Sequence, residues 1–139
     1  MSVQNSNGLS AKQSPPVVSR PLSPRISIYR WRAPMLASIA HRGSALILVL
    51  FVPLYLWLLH GMTGSPDHYA ATLEWLHSLT GKLLLWLVGV ALVYHFSNGI
   101  RFLCIDAGWA ESRTMMVLSA KVVLAVAGLT AIMLAGLLL

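Results

Sequence analysis

The sequence is poor in cysteine and in charge, and these two deficits exclude most soluble classes. Cys104 is its only cysteine, which excludes a small secreted domain held together by disulfides. Charged residues make up 10% of the chain, whereas soluble domains carry about 25%. The hydrophobic content of 57% excludes a chain that is disordered throughout. The composition therefore indicates an integral membrane protein.

Motifs for independent catalysis are also missing from the sequence. It contains no cysteine pair, no glycine-rich phosphate loop, no zinc-ligand spacing and no Ser/His/Asp arrangement. Its four acidic residues leave few candidates for a general acid or base. We therefore expect a membrane subunit that holds a cofactor or a partner, and not an enzyme that acts alone.

Three long apolar segments are present, at about residues 35–59, 83–100 and 115–139. About 20 apolar residues cross the hydrocarbon core of a bilayer as a helix. An open strand is excluded there, because its backbone polar groups would find no partners in lipid. The sequence therefore predicts an all-α integral membrane fold, with three transmembrane helices in residues 31–139.

Basic residues are concentrated at the start of the chain. Residues 1–42 hold six of the ten Lys and Arg residues and none of the four acids, so the whole net charge of +6 lies there. Because basic segments stay on the cytoplasmic side, the N-terminus is predicted inside and residues 61–80 form a loop outside. We expect residues 1–30 to be a basic, flexible or extended cytoplasmic segment. Lys and Arg residues that precede hydrophobic segments argue against a nucleic-acid-binding module, in which basic residues would cover one face of a folded domain.

Three polar residues share one face at the start of the first predicted span. Ser38, His41 and Arg42 are spaced i, i+3 and i+4, so they lie on one side of a helix. A hydroxyl, an imidazole and a guanidinium on one face could bind a carbonyl or a carboxylate group. The alternative is structural: Arg42 extends to the lipid head groups, and Ser38 bonds to its own helix backbone.

His95 is the second candidate, and it lies in the inner half of the second span. A buried imidazole is neutral, which leaves one ring nitrogen free as a metal ligand. Gly99 follows one turn later on the same face and leaves room for a flat macrocycle. The alternative is a histidine bonded to a carbonyl group of another helix. Lys121 in the third span is interpreted as a side chain that extends to the inner interface.

Two strings of residues carry a resemblance to a known family. In the first string, RPLSPRISIYRW at residues 20–31 is followed by SIAHRGSAL at residues 38–46. The second string is HFSNGIRFLCIDAGW at residues 95–109. Together with their spacing and the three-span layout, they resemble the cytochrome b subunits of succinate dehydrogenase, which is respiratory complex II. The resemblance extends over about residues 20–109.

The resemblance implies a role for each candidate residue. The axial haem ligand of the family corresponds to His95, which would bind the iron of haem b. Ser38 and Arg42 correspond to the residues that line the ubiquinone pocket, and His41 corresponds to the histidine near the haem propionates. The second haem ligand would come from a second small membrane subunit, which would also complete the helical bundle. The family also implies a flavoprotein and an iron–sulfur subunit as partners, so this chain would be a non-catalytic subunit in electron transfer from succinate to ubiquinone.

The sequence departs from the family pattern at three positions. Phe102 stands where the family has a second histidine, Ile105 where it has tryptophan, and Ala45 where it often has glycine. Asp106 matches an acidic position of the family, and either a proton path to the quinone or a salt bridge to Arg101 is open for it. These differences affect the details of the cofactor sites more than the family resemblance.

The sequence alone leaves other functions open. The chain could be a haem-free anchor that only docks soluble subunits through its basic head, or the anchor of a quinol:fumarate reductase. It could also be an unrelated small membrane protein such as a transporter subunit, although the broken helices expected of a transporter are not evident. We expect the inner membrane of a bacterial cell, because the N-terminal lead-in is short, with the mitochondrial inner membrane as the alternative.

Overall fold

The computed structural model describes residues 31–109 and 111–139, which form four α-helices. The helices are α1 (Ala33–Thr63), α2 (Pro66–His77), α3 (Leu79–Asp106) and α4 (Arg113–Leu138). The predicted basic segment 1–30 lies outside the described residues, together with most of the string at residues 20–31. The interpretation of that segment therefore stays a prediction.

The helices α1, α3 and α4 are each long and apolar enough to cross a membrane. They contain 31, 28 and 26 residues, whereas a bilayer core requires roughly 20. One of the three predicted spans falls on each of these helices. The predicted all-α membrane fold with three long apolar helices is therefore confirmed.

The short helix α2 replaces part of the loop that the sequence predicted over residues 61–80. Ser65 caps its start, because the Ser65 hydroxyl accepts a hydrogen bond from the His68 amide at 3.4 Å. Pro66 follows in the first turn, where its missing N–H is no loss, and Asp67 complements the helix dipole. The loop prediction is wrong for residues 66–77, which form a helix. The capping residues stabilise this helix although its sequence contains no long apolar run that would have indicated it.

Ser78 joins α2 to α3 without a separate linker. Its hydroxyl donates to the Trp75 carbonyl at 2.6 Å at the end of α2. The same hydroxyl accepts the Gly81 amide at 3.1 Å, which caps the start of α3. A Cβ atom at Gly81 would meet the Trp75 carbonyl oxygen and the Leu76 backbone. Glycine at this position therefore allows the two helices to meet closely.

Hydrogen bonds between α3 and α4 fix the relative direction of these helices. Trp86 Nε1 donates to the Ala131 carbonyl at 2.8 Å. Further along α3, the buried Arg101 donates from Nε to Ser119 Oγ at 3.0 Å and from Nη2 to the Met116 carbonyl at 3.1 Å. Because residue numbers rise along α3 as they fall along α4, the two helices are antiparallel.

The interior of the bundle is built largely from small side chains. Ala37, Ala91 and Ala120 are buried, and Tyr94 and Val123 join them in the core. Small residues let helix backbones approach closely in lipid, where the hydrophobic effect does not drive helices together. Many large apolar side chains lie on the outside instead, where lipid or other subunits can cover them.

We expect Gly81→Ala to destabilise the bundle, because the added methyl group would meet backbone atoms of Trp75 and Leu76. Overpacking of this kind costs about 1–3 kcal/mol. Gly128→Ala is the matched control, because nothing in the described chain lies within 4 Å of a Cβ at that position. The measurement is thermal unfolding of the detergent-solubilised protein, followed by circular dichroism. Equal unfolding midpoints for the two variants would contradict the close contact at Gly81.

Candidate functional site

His41 on α1 and His95 on α3 lie face to face. Their ring centroids are 4.1 Å apart, and their ring planes differ by 6°. Both side chains are half-buried, in the part of the bundle near the start of α1. The sequence placed these histidines in two separate candidate groups, and the structure brings them together in one.

Ser44 contacts both histidines. Its hydroxyl donates to the His41 carbonyl at 2.7 Å, and its Oγ lies 3.1 Å from Nδ1 of His95. The side chain is only 5% exposed. Sequence reasoning missed Ser44, although it follows His41 by three residues and therefore shares its helix face. That spacing was the signal that could have identified it.

Tyr94 and Asn98 link α3 to the backbone of α1 beside the histidines. Tyr94 Oη donates to the Ala37 carbonyl at 2.6 Å, and Asn98 Nδ2 approaches the same oxygen at 3.5 Å. Asn98 is fully buried, and its Oδ1 has no hydrogen-bond partner among the described residues. These contacts hold α1 and α3 in the register that brings His41 to His95.

Gly99 and Phe102 on α3 border the His41 ring. A Cβ atom at Gly99 would meet only Cε1 of His41, at 3.9 Å, so packing within the described chain does not require glycine there. Phe102 lies edge-on to His41, with the ring centroids 5.2 Å apart. Nδ1 of His41 is buried and has no hydrogen-bond partner in the part of the chain that the structure describes. The surroundings of His41 within the chain are thus mainly aromatic.

Ser38 and Arg42 lie on the predicted face of α1. Because α1 is helical throughout this region, the i, i+4 spacing places them one turn apart on the same side. Ser38 is half-buried and Arg42 is exposed, whereas His41 contacts α3. Arg42 therefore presents a charged donor to the surroundings of the chain, next to a partly covered hydroxyl group.

Arg101 is buried and bonds to α4. Its partners are Ser119 and Met116, and its guanidinium carbon lies 5.5 Å from the centroid of the Phe102 ring. Asp106 is exposed at the end of α3. The sequence left two roles open for Asp106, and one of them was a salt bridge to Arg101. Among the described residues, Arg101 bonds to Ser119 and Met116 instead.

A second group of aromatic and imidazole side chains lies between the end of α1 and α2. Trp57 and Trp75 pack edge to face with centroids 5.2 Å apart, and the rings of His60 and His68 are 6.2 Å apart. These four residues line a cavity of about 330 Å³. Across residues 31–109 and 111–139, no three His, Cys, Asp or Glu side chains are grouped as a metal site.

Comparison with known proteins assigns the chain to a family. Residues 17–134 match the family described as succinate dehydrogenase/fumarate reductase transmembrane subunit. The chain is 36% identical over 125 residues to the mitochondrial succinate dehydrogenase cytochrome b560 subunit of Sus scrofa, covering 85% of this chain and 71% of that protein. It is 34% identical over 118 residues to the succinate dehydrogenase cytochrome b556 subunit of Coxiella burnetii, covering 84% of this chain and 94% of that protein.

The extent of the match differs between relatives. The mitochondrial succinate dehydrogenase cytochrome b560 subunit of Homo sapiens is 41% identical over 97 residues, which cover 65% of this chain and 54% of that protein. The family match includes Ser38, His41, Arg42 and His95. It covers all of α1 and α3, and α4 as far as residue 134. The chain therefore belongs to the succinate dehydrogenase/fumarate reductase transmembrane subunit family, within which it resembles the cytochrome b membrane anchors of succinate dehydrogenase.

Proposed function

We propose that this chain binds haem b and forms part of the ubiquinone reduction site as the membrane anchor of a succinate dehydrogenase. The observation that carries the proposal is the stacked pair of His41 and His95 within three apolar helices of this family. Electrons from succinate, oxidised on a flavoprotein subunit, would reach the quinone through an iron–sulfur subunit. These two subunits, a second small membrane subunit and membrane lipids are the proposed partners.

The residues around His95 fit a haem. Its Nδ1 faces Ser44, and Nε2 has no hydrogen bond among the described residues. Gly99, one turn further along α3, keeps the same helix face free of side-chain bulk. When bound, haem b would supply a one-electron carrier, and two histidine ligands would leave no coordination position for oxygen. His95 is the proposed ligand from this chain, and the partner membrane subunit would provide the second.

His41 is the proposed residue for the propionate side of the haem. Its ring lies flat against His95, and its Nδ1 is enclosed within the chain. Nε2 is therefore the ring atom that we assign to a propionate oxygen, which an N–H group can bind as a donor. Phe102 lies edge-on to His41 and adds an apolar contact without a hydrogen bond.

Ser38 and Arg42 are the proposed quinone ligands of this chain. They lie one turn apart on α1, where a hydroxyl and a guanidinium can both donate to a quinone carbonyl oxygen. That oxygen gains negative charge on reduction, and preorganised donors stabilise such charge best where water is excluded. Because Arg42 is exposed in this chain, other subunits would have to cover it to complete the pocket.

A quinol:fumarate reductase anchor is the second candidate function, because the matched family includes both kinds of subunit. The same donors would serve a quinone and a quinol, so the two functions differ in the direction of electron flow. The purified complex distinguishes them by its rate of quinone reduction with succinate and its rate of fumarate reduction with quinol.

The proposed location is the inner membrane of a bacterial cell, and the mitochondrial inner membrane is the alternative. The three apolar helices make the chain a multi-pass membrane protein. Relatives from Coxiella burnetii and from mammalian mitochondria match it at similar identity. Fractionation of the source cells, with immunodetection of the chain, would decide between these locations.

We expect His95→Leu to remove haem from the complex, because leucine offers no lone pair to the iron. The measurement is the reduced-minus-oxidised absorbance spectrum of the purified complex, in which the b-type bands should disappear. His60→Leu is the matched control, because His60 is exposed near the end of α1 and should leave the spectrum unchanged.

Copurification with the flavoprotein distinguishes haem loss from failed assembly in this experiment. An assembled His95→Leu complex with a wild-type spectrum would contradict the ligand assignment. A wild-type complex that contains no haem would favour the haem-free anchor instead.

We expect Ser38→Ala and Arg42→Leu each to lower kcat/KM for ubiquinone. A hydrogen bond to a charged group contributes about 1.5–3 kcal/mol, which corresponds to a loss of about 10- to 100-fold. Oxidation of succinate by an artificial electron acceptor should not change, because that reaction bypasses the quinone site. Lys121→Leu, which removes an exposed base from α4, is the control. A parallel fall of both activities would show a defect of assembly. An unchanged kcat/KM for ubiquinone in an assembled complex would contradict the quinone role.

A further inference from the structure

Ser44 has one hydroxyl hydrogen and two polar neighbours. Its Oγ lies 2.7 Å from the His41 carbonyl oxygen and 3.1 Å from Nδ1 of His95. A carbonyl oxygen can only accept a hydrogen bond, and two oxygen atoms at this distance repel unless a hydrogen lies between them. The hydroxyl hydrogen therefore points to the His41 carbonyl, in the backbone bond that serine often makes within helices.

The protonation of the His95 ring follows from this geometry. Because Ser44 directs its hydrogen to the backbone, only its lone pairs face Nδ1 of His95. Nδ1 must then carry a hydrogen and donate it. In a neutral imidazole with a hydrogen on Nδ1, the free lone pair is on Nε2.

His41 restricts the same ring in a second way. Its imidazole lies parallel to that of His95, at 4.1 Å and with a plane difference of 6°. Rotation of His95 about its Cβ–Cγ bond would drive the ring edge into His41. Ser44 is 5% exposed, so water does not compete for its two hydrogen bonds. The tautomer of His95 is thus set by Ser44, and the plane of its ring by His41.

We propose that Ser44 is a positioning residue for the haem ligand, which holds His95 with hydrogen on Nδ1 and presents Nε2 to the iron. This inference rests on the proposed function, in which His95 binds haem b. A hydrogen bond donated by the other ring nitrogen makes an imidazole a more basic ligand. The chain of bonds from Nδ1 through Ser44 to the His41 carbonyl strengthens this effect, because each bond polarises the next.

The hydrogen bond has a measurable effect on the haem. A more basic imidazole stabilises ferric iron over ferrous iron and so lowers the midpoint potential. Removing the bond should therefore raise that potential. The g values of a low-spin ferric haem also depend on the basicity and the plane of its axial imidazoles, so they should change in the same variant.

The experiment compares Ser44→Ala, Ser44→Thr and Ser97→Ala in the intact purified complex. Ser97 is a half-buried serine two positions from His95, on another side of α3, and serves as the matched control. Redox titration gives the midpoint potential, and EPR gives the g values of the ferric haem. We expect Ser44→Ala to raise the potential and change the g values. Ser44→Thr retains a hydroxyl and should restore both, and Ser97→Ala should match the wild type.

Haem retention gives an additional readout that does not depend on turnover. Loss of an outer partner of a metal ligand typically costs about 10- to 100-fold in affinity. We expect transfer of haem from the Ser44→Ala complex to excess apomyoglobin to be faster by about 10- to 100-fold. The Ser44→Thr complex should transfer haem at the wild-type rate.

If the Ser44→Ala complex keeps the wild-type potential, g values and haem transfer rate, the proposed role of Ser44 is overturned. Haem binding by His95 would not be affected by that result. A change in Ser44→Ala that Ser44→Thr does not restore would show an effect of packing and would also overturn it. If Ser44→Ala does not assemble, Ser44→Cys replaces it, with a rise in potential expected because a thiol is a weak acceptor. A wild-type complex without haem would refute the proposed function itself.

Discussion

The register between α1 and α3 is the constraint on which the site depends. Tyr94 fixes this register through its 2.6 Å hydrogen bond to the Ala37 carbonyl, and both residues are buried within the bundle. Small side chains at the contact let the two backbones approach closely enough for this bond. In this register His41 and His95 meet face to face, and Ser44 contacts both. A shift of α1 by one residue would turn His41 by about 100° and separate the rings.

Features that depend on local sequence could be predicted, and features that depend on the register between helices could not. Runs of apolar residues are sufficient to identify three spans, because the thickness of a bilayer sets their length. The family strings identify the four candidate residues without any knowledge of their contacts. In contrast, nothing local shows that Ser44 contacts His95 or that Tyr94 bonds to Ala37, because each of these pairs joins two helices far apart in sequence. For the same reason, the position of Asp106 near Arg101 in the sequence did not predict the partners of Arg101, which lie on α4.

The chain holds one part of a site and leaves another part open. His95 is held by Ser44 and His41 within the bundle, so its geometry is set by this chain alone. Arg42 is exposed and can function only where other subunits exclude water around it. The proposed haem ligand is therefore preorganised before assembly, whereas the proposed quinone pocket forms through assembly. Such a division would keep the hydrogen-bond donors for the quinone inactive in an anchor that has not yet assembled with its partner subunits.

The junction between α2 and α3 has a mechanical consequence. The Ser78 hydroxyl bonds to both helices, and Gly81 lies against the backbone at the end of α2. Ser78 is the single residue between the two helices, and its bonds to both restrict how far α2 can turn relative to α3. Whatever contacts α2 at that end of the bundle therefore bears on the start of the helix that carries His95.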